Sequence, residues 1–370
     1  MGIVRSLGKN GIKPYVLSSR KGSLCSFSKY SKKEIIINDK KNFKDELFKH
    51  LVKYEIELII IVGTNSFQDI TPFKYDLKDI NVNIITVDIE KLNMTFSKVE
   101  TYCYADKIGI PIAKTYYPKE ISELEYLKSK ITYPCVIKGL YEVGGNIVDY
   151  VYSEDTLKKK YIEVCEKFEL TPENGLPMLQ EYITGNGCAF FAVYNNGVCG
   201  LTFQHKRIRE YPVTGGASVC AESYKNNLVD EYGKKLLDSL EWHGVAMVEF
   251  KLNNNGIPIL MEINPKFWGS TDLALEAGVN FPKALLDIHQ GKKVDESSSY
   301  TFPLRYHWPL YGDIMHGIKN PKNIISILKD SFNPNVKSNL WISDFIPSFK
   351  MLYDFFKAIL VEIYRKIFNV

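Results

Sequence analysis

Residues 245–269 constrain the fold of this chain more than any other stretch. They read VAMVEFKLNNNGIPILMEINPKFWG, two apolar runs around a short polar linker. Asn255-Gly256 is typical of a two-residue β-hairpin turn, because type I′ geometry requires a positive φ at both positions. Such a turn predicts an antiparallel strand pair with one wholly apolar, buried face. The predicted pairs on that face are Leu252 with Ile259, Phe250 with Met261, and Val248 with Ile263.

The other face of the predicted hairpin carries polar side chains. The same register sets Glu249 opposite Glu262 and Met247 opposite Asn264. Directly opposed residues have Cβ atoms roughly 4.5–5.5 Å apart, and like charges there are destabilising unless a cation lies between them. Carboxylate and amide oxygens suit magnesium that also binds phosphates. We therefore expect a magnesium site, with a solvated face carrying two unrelated glutamates as the alternative.

The N-terminal third alternates helices with fully apolar runs, including EIIIN, ELIIIVG and NIITVD. This pattern predicts a parallel sheet covered on both faces. The chain opens directly on a helix, whereas a doubly wound domain starts with a strand, so the first strand is expected to be missing. Later segments indicate a second α/β region and then, from Cys188, a region dominated by strands.

The strand pair and its ending resemble the ATP-grasp superfamily. In that superfamily two adjacent antiparallel strands carry the acidic ligands of the magnesium ions that bridge the ATP phosphates, and the second ends in a motif of the type Glu-x-Asn-Pro-Arg. This chain has Glu262-Ile263-Asn264-Pro265-Lys266. The resemblance implies that Glu249, Glu262 and Asn264 are metal ligands. Lys266 replaces the usual arginine, so its phosphate contact is expected to be a point charge, not a bidentate fork.

The resemblance extends from about Lys98 to Leu286 and implies an ATP-grasp fold of mixed α/β and α+β class. Four regions are expected. They are an N-terminal doubly wound parallel-sheet domain over 1–93, a central subdomain with a hinge over 94–184, a C-terminal subdomain with the metal site over 185–295, and an extension over 296–370 that ends in an amphipathic helix.

Phosphate-binding positions follow from the same resemblance. Lys138, in the strand PCVIKGL, and Lys98 correspond to the lysines that contact phosphate, with a lysine in solvent as the alternative at each position. Gly144 and Gly145 resemble the loop that closes over the phosphates, where backbone amides approach oxygen only if side chains are absent. An ordinary glycine turn explains the same two residues.

The hinge of the superfamily is similar to LQEYI in this chain. Its backbone receives adenine, so Glu181, Tyr182 and Ile183 are expected at the adenine site. Family members often place a glutamate for the ribose about seven residues after the hinge glutamate. Cys188 occupies that position here, which leaves the ribose contact unassigned.

A basic run, FQHKRIREYPVTGGAS, lies between the hinge and the metal motif. If the strand continues, His205, Arg207 and Arg209 alternate onto one face. Because the arginine fork suits carboxylate or phosphate, Arg207 or Arg209 is expected to hold the γ-phosphate or the acceptor carboxylate. His205 is expected beside the nucleotide. The alternative is a solvated basic edge strand.

The activity implied by the resemblance is ligation that depends on Mg²⁺ and ATP. A carboxylate would become an acyl phosphate and be coupled to an amine, with two magnesium ions, or manganese in their place. REYPVTGG and EINPKFWGS are most similar to the short carbamoyl-phosphate-synthase-like carboxylate-amine ligases. Two alternatives are an ATP-grasp kinase without ligation and a nucleotide-binding sensor without turnover.

Charge and cysteine usage narrow the class of protein further. The 47 basic and 43 acidic residues give a net charge of +4 spread along the chain, which gives no footprint for nucleic acid. The seven cysteines lack any Cys-x-x-Cys pair and are expected to be reduced thiols. No apolar run approaches the length of a signal peptide or a membrane span, so the sequence predicts a cytoplasmic enzyme.

The last predicted helix, from about Ser348, carries apolar residues at spacings of three and four with basic residues beside them. The apolar set is Leu352, Phe355, Phe356, Ile359, Leu360, Ile363 and Ile367, and the basic set is Lys357, Arg365 and Lys366. Such a stripe usually packs on its own domain or on a partner subunit, here a homodimer. The alternative is a helix at the inner membrane surface.

Overall fold

The structure, a computed structural model, describes residues 1–141, 147–213 and 215–368. The N-terminal region holds short strands in two separate parallel pairs, β1 with β2 and β3 with β4. Its elements are α1 Gly2–Lys9, β1 Tyr15–Ser18, β2 Lys33–Ile36, α2 Phe43–Lys53, β3 Leu58–Ile59, α3 Thr64–Ile70, α4 Lys74–Asp79, β4 Asn83–Ile84 and α5 Ile89–Phe96. The predicted parallel pairing is therefore present, as two pairs instead of one continuous sheet.

The central region folds around a four-stranded antiparallel sheet with strand order β5-β8-β6-β7. Its elements are α6 Lys98–Lys107, β5 Thr115–Tyr116, α7 Leu124–Leu127, β6 Cys135–Lys138, β7 Val148–Val151, α8 Glu154–Lys167 and β8 Met178–Glu181. Helices α7 and α8 cover the sheet and bury their own apolar cluster, which includes Leu124, Tyr161 and Leu179.

The largest sheet has seven strands in the order β13-β12-β9-β10-β11-β14-β15. Its first elements are β9 Gly187–Asn195, β10 Val198–Tyr211, β11 Ala217–Ser223, α9 Asn227–Ser239, β12 Gly244–Leu252, β13 Pro258–Asn264, α10 Thr271–Glu276 and α11 Phe281–His289. The chain then adds β14 Arg305–His307, α12 Ile314–Lys319, α13 Ile324–Phe332, β15 Lys337–Ser338 and α14 Phe345–Phe368.

Both faces of the seven-stranded sheet are covered, because alternate residues of its central strands are apolar on both sides. On β9, Phe190 belongs to a cluster shared with the N-terminal region, and its neighbour Phe191 belongs to a cluster with Trp268 and Phe281. A bridge between Val62 and Phe267 also joins the N-terminal region to the segment after β13. These contacts place the N-terminal region beside the end of β13.

The β12–β13 hairpin differs from the prediction at its turn. Only Gly256, with φ of 74°, has a positive φ there, and Asn253 N–H donates to the Ile257 carbonyl at 2.9 Å. The loop is therefore a three-residue turn ending in a left-handed glycine, not a type I′ turn. Near the turn the register shifts by one, so Phe250 faces Leu260 and Lys251 faces Ile259. The predicted pairs of Phe250 with Met261 and Leu252 with Ile259 are wrong.

A β-bulge between Glu249 and Phe250 reverses that shift. Beyond the bulge Glu249 faces Glu262, Val248 faces Ile263 and Met247 faces Asn264, as the sequence predicts. The extra residue is Met261, which packs in a small cluster with Ile183 and Ile259. The two deviations cancel because the longer turn takes its extra residue from the β12 side, whereas the bulge places its extra residue on β13.

None of the helices within the described residues combines the length and the apolar character needed to cross a bilayer.

Candidate active site

The site is built on the opposed carboxylates of Glu249 and Glu262, held by β12 and β13. Arg207, on β10, donates from Nη2 to Glu249 and from Nη1 to the Gly216 carbonyl at 3.2 Å. Gly187 makes room for this arginine, because a Cβ added there would lie 2.9 Å from Cδ of Arg207. A cation thus approaches one of the two carboxylates, as their mutual repulsion requires.

A second cation comes from the loop after β13. Lys266 donates from Nζ to Oδ1 of Asn264 at 2.7 Å, and Asn264 donates from Nδ2 to Oε1 of Glu262 at 2.7 Å. A carboxylate, an amide and an ammonium group are therefore hydrogen-bonded in series at the alternate positions Glu262, Asn264 and Lys266. Because these residues alternate, the pleat of the strand end places them side by side.

The electrostatics of the pair differ from those of surface glutamates. Burial, together with the neighbouring Glu262 carboxylate, raises the pKa of Glu249 to about 7 against the opposing effect of Arg207. Two carboxylates and an amide oxygen are hard ligands that match magnesium. Within the described residues no group of three or more His, Cys, Asp and Glu side chains is arranged to hold a metal ion, so a metal here would depend on this mixed set.

Lys138 of the central region lies within electrostatic range of both carboxylates, and Lys98 lies near Lys138. Lys138 ends β6 and donates from Nζ to Oε1 of Gln180 at 2.6 Å. Lys98 begins α6, and its backbone N–H donates to the Leu140 carbonyl at 2.9 Å, which ties the helix start to the segment after β6. Burial lowers the pKa of Lys138 to about 8, and the charge of Lys98 adds to this shift.

The hinge segment follows β8 and lies beside the bulge of β13. Glu181 donates its backbone N–H to the Lys114 carbonyl at 2.9 Å, and Tyr182 packs edge-on against Tyr150. Ile183 is buried with Met261, and its carbonyl accepts from Nζ of Lys251 at 3.3 Å. The hinge thus combines an apolar wall with backbone groups that are hydrogen-bonded to Lys114 and Lys251.

A cavity of about 480 Å³ opens beside the carboxylates. The N-terminal region contributes Val62, Gly63 and Thr64, and the metal motif contributes Glu249, Glu262, Asn264 and Lys266. Trp268 and Asp272 complete the far wall, and the indole Nε1 of Trp268 is buried without a hydrogen-bond partner in the described structure. The cavity can therefore hold a small polar molecule next to the carboxylate pair.

Arg209 lies away from this site. The register of β10 shifts between Arg207 and Arg209, so Arg207 faces Ala221 and Arg209 faces the next residue, Cys220. Adjacent residues of a strand point to opposite faces, so the two arginines lie on opposite faces of the sheet. The prediction that both line one face is wrong, because a bulge at Ile208 cannot be recognised from an alternating pattern.

Arg209 instead forms a buried ionic network with the C-terminal extension. Its Nε and Nη2 donate to Asp313 at 2.8 and 2.7 Å, and its Nη1 lies 2.7 Å from Asp330. His307 contacts Asp313 at 3.0 Å, and Arg305 bridges Asp330 to Glu222. This network attaches the segment from Pro309 to Phe332 to the sheet.

His205 shares the face of Arg207 but is buried inside the apolar cluster. Its ring packs edge-on against Phe191 at a centroid distance of 4.7 Å, and its Nδ1 has no hydrogen-bond partner in the described structure. Burial lowers the pKa of His205 to about 3, with Arg207 adding to the effect. The expected cation beside the nucleotide is therefore a neutral core side chain.

Gly144, Gly145 and Cys188 were also singled out in the sequence. Gly144 and Gly145 lie outside the described residues. Cys188, at the position where relatives often carry a ribose ligand, is buried in the cluster on the opposite face of the sheet.

Two polar side chains near the carboxylate pair, Lys251 and Asp272, were not predicted from the sequence. Lys251 lies two residues after Glu249, so strand periodicity alone could have placed it on the same face. Burial lowers the pKa of Lys251, partly offset by Glu210. Asp272 follows the metal motif by six residues on α10, and no local pattern in the sequence marks it as a cavity residue.

Comparison with known proteins supports the interpretation of the strand pair. Residues 200–309 match the family described as ATP-grasp in the biosynthetic pathway with Ter operon. The chain is 27% identical over 232 residues to the C-terminal section of the carbamoyl phosphate synthase large chain of Methanocaldococcus jannaschii. That match covers 60% of this chain and 36% of the relative, so the chain spans about a third of the curated relative's length.

Solved structures show the same fold at low identity. The biotin carboxylase domain of Hydrogenobacter thermophilus 2-oxoglutarate carboxylase, in complex with MgADP, ADP and bicarbonate, has a TM-score of 0.66 at 14% identity, over 82% of this chain and 70% of that one. An L-amino acid ligase from Bacillus licheniformis has a TM-score of 0.60 at 14% identity, over 82% of this chain and 74% of that one.

These likenesses confirm the predicted fold class. Together with the sequence match over residues 200–309, which contains the β12–β13 motif, they show that the chain has an ATP-grasp fold and is similar to an ATP-grasp family and to the carbamoyl phosphate synthase large chain.

Proposed function

We propose that the protein is a ligase that uses Mg²⁺ and ATP to activate a carboxylate as an acyl phosphate and couple it to an amine. The observation that carries the proposal is the carboxylate pair of Glu249 and Glu262, which faces a cavity and is approached by Arg207 and Lys266. Sequence relatives that are carbamoyl phosphate synthases and a structural neighbour that is an L-amino acid ligase support this class of reaction.

The cofactor assignment rests on the donor set. We propose that Glu249, Glu262 and Asn264 hold magnesium, as two ions, with manganese as a substitute. When bound, the metal would neutralise charge on the ATP phosphates. MgADP is present in the biotin carboxylase neighbour, which supports this choice of cofactor.

The cationic side chains of the site would then bind the phosphates of ATP and the carboxylate of the substrate. In the described structure Arg207 and Lys266 are engaged with Glu249 and Asn264. A divalent cation that satisfies those oxygens leaves both side chains able to bind phosphate or carboxylate. Lys138 and Lys98 would approach the phosphates from the central region. Phosphoryl transfer requires such positioning and charge neutralisation more than covalent help from the protein.

The cavity also suggests where the amine binds. Asp272 is a cavity residue, and Met1 and Gly2 line the same cavity. Burial raises the pKa of Asp272 above its usual value, whereas the N-terminal ammonium group and Arg5 oppose that rise. We propose that Asp272 holds the ammonium form of an amino-acid-like substrate and that Lys266 faces the substrate carboxylate.

The experiment that tests this function measures Mg²⁺-dependent ADP release against a panel of amino acids and dipeptides, each with and without a second amine. Release that requires both partners supports ligation, whereas release with one acceptor and a stable phosphorylated product supports the kinase. ATP binding without release across the panel would support the sensor.

Glu262→Ala should lower ADP release by at least about a hundredfold, because even residues that only support metal ligands cost 10–100-fold when changed. Its matched control is Glu241→Ala, since the Glu241 side chain is 82% exposed and pairs with Lys91 at the surface. Equal activity of the two variants, with both folded by circular dichroism, would refute the metal assignment.

A further inference from the structure

The C-terminal extension exposes an unusual amount of apolar surface. Of the thirty-two large apolar side chains that are exposed among the described residues, sixteen lie between residues 314 and 361. Ile342 and Phe332 are 95% and 85% exposed, the highest values of the set. Single exposed apolar residues are normal on proteins, but a concentration of this size marks an interaction surface.

Helix α14 carries apolar side chains on two opposite faces. Met351 and Phe355 pack inward against Leu310 and Leu24. The outward face is apolar as well, at spacings that repeat every three or four residues. Its members are Phe345, Ile346, Phe349, Tyr353, Phe356 and Leu360. The predicted stripe therefore divides, with Phe355 buried and Phe356 and Leu360 exposed; the side chains of Ile363, Arg365, Lys366 and Ile367 lie outside the described ones.

Helix α13 repeats this arrangement. Ile327 is buried under the helix, whereas Ile325, Leu328 and Phe332 are exposed. These positions fall along one side of a helix because they are three and four residues apart. The ionic network of Arg209 fixes α13 to the sheet, so this exposed stripe belongs to a rigid part of the molecule.

The charges around these stripes are mostly positive. Among side chains described between residues 314 and 361, the exposed charged residues are Lys319, Lys322, Lys329, Lys337 and Lys357. Asp330 and Asp344 are buried, and the 42% exposed side chain of Asp354 is paired with Lys350 on the same helix. The extension thus presents apolar rows with a predominantly cationic border.

We infer that the C-terminal extension is a docking surface for an anionic lipid bilayer, which holds the enzyme at the membrane surface without crossing it. Aromatic and aliphatic side chains would enter the interface, and the lysines would contact acidic headgroups. A second copy of the chain suits the surface less well. A two-fold interface sets the same patch against itself, which would bring the five exposed lysines of each copy together, with Asp354 as the one partly exposed acid among the side chains described between residues 314 and 361.

The test is co-sedimentation of the full chain with sucrose-loaded vesicles, made either of phosphatidylcholine alone or with one third phosphatidylglycerol. Binding should occur with the anionic vesicles and weaken as salt is raised, because headgroup attraction is screened within a Debye length. Each lysine near the surface is worth about fivefold in partitioning. Lys322→Glu with Lys329→Glu should therefore lower binding at least about tenfold.

Matched controls separate this surface from general properties of the chain. Lys159→Glu with Lys293→Glu makes the same charge change at lysines that are 82% and 86% exposed elsewhere, and should lower binding far less. Phe349→Ser with Phe356→Ser should also reduce binding, whereas Tyr126→Ser with Tyr152→Ser, at exposed aromatic positions of the central region, should not.

Two results would overturn the inference. One is equal binding of the parent and the Lys322→Glu, Lys329→Glu variant to anionic vesicles. The other is absence of vesicle binding together with a dimer in light scattering that Phe349→Ser with Phe356→Ser dissociates, which would assign the surface to a second copy. ADP release in solution should be unaffected by any of these variants, so the inference can fail independently of the proposed activity.

Discussion

Arg207 and Arg209 are two residues apart on the same strand, yet they serve two different kinds of charge cluster. Arg209 is buried and meets Asp313 and Asp330, so every charge of that network has a partner within the protein. Arg207 meets Glu249, whose carboxylate opposes Glu262 at the edge of a cavity. The difference shows that a closed ionic network stabilises structure, whereas an open one keeps ligands available.

Arg209→Ala gives the largest expected effect, on stability. It leaves Asp313 and Asp330 buried with less compensation, and removal of one partner of a buried pair costs about 3–5 kcal/mol. Urea unfolding followed by circular dichroism would measure the loss. Arg305→Ala is the matched control, because Arg305 joins the same network from a half-exposed position and should cost about 1 kcal/mol. Equal losses would show that the network does not depend on burial.

Arg207→Ala should affect activity more than stability. ADP release should fall about 10- to 100-fold, because a charged hydrogen bond to phosphate or carboxylate is worth about 1.5–3 kcal/mol. The free energy of unfolding should change much less than in Arg209→Ala. Arg207→Lys should recover only part of the activity, since a lysine lacks the bidentate fork. A large loss of stability with normal activity would show that Arg207 is structural as well.

Asp272→Asn tests whether the open charge cluster beside the cavity binds a group of the substrate. If Asp272 holds an ammonium group, the KM for the amine should rise about tenfold or more, while the KM for ATP stays the same. Asp287→Asn on α11 is a suitable control because its carboxylate is already paired with Lys283 on the surface. A parallel rise in both KM values would place Asp272 at the nucleotide or the metal instead of the amine.

Lys138 provides the smallest expected effect, a pH dependence. Its pKa is lowered to about 8, so the side chain is cationic below that pH and neutral above it. The kcat/KM for ATP should therefore fall as pH rises through about 8, since this quantity reports groups of the free enzyme. Lys138→Arg keeps the charge at higher pH and should move the decline upward. An unchanged profile in that variant would assign the decline to another group.

Features that depend on neighbouring residues could be predicted from the sequence. The apolar and polar alternation around Asn255-Gly256 placed Glu249 opposite Glu262, although the turn type was wrong, because the bulge restored the register. The hinge and Lys138 were likewise predicted from short motifs; Lys138 lies within electrostatic range of Glu249 and Glu262, and Ile183 of the hinge packs with Met261. Their functional roles remain predictions, as do the boundaries proposed between the four regions.

The sequence alone thus determined the strand pair and its acidic face, which follow from periodicity, and it indicated the ATP-grasp fold through the resemblance of its motifs to that superfamily. Only the tertiary structure determined the partners of Arg209, the burial of His205 and the position of Asp272. The partners of Arg209 lie about a hundred residues later in the chain. Burial of His205 depends on a sheet and a loop that meet only after folding, and so does the cavity position of Asp272. Pairings over such distances leave no local pattern, because they arise from packing and not from backbone preference.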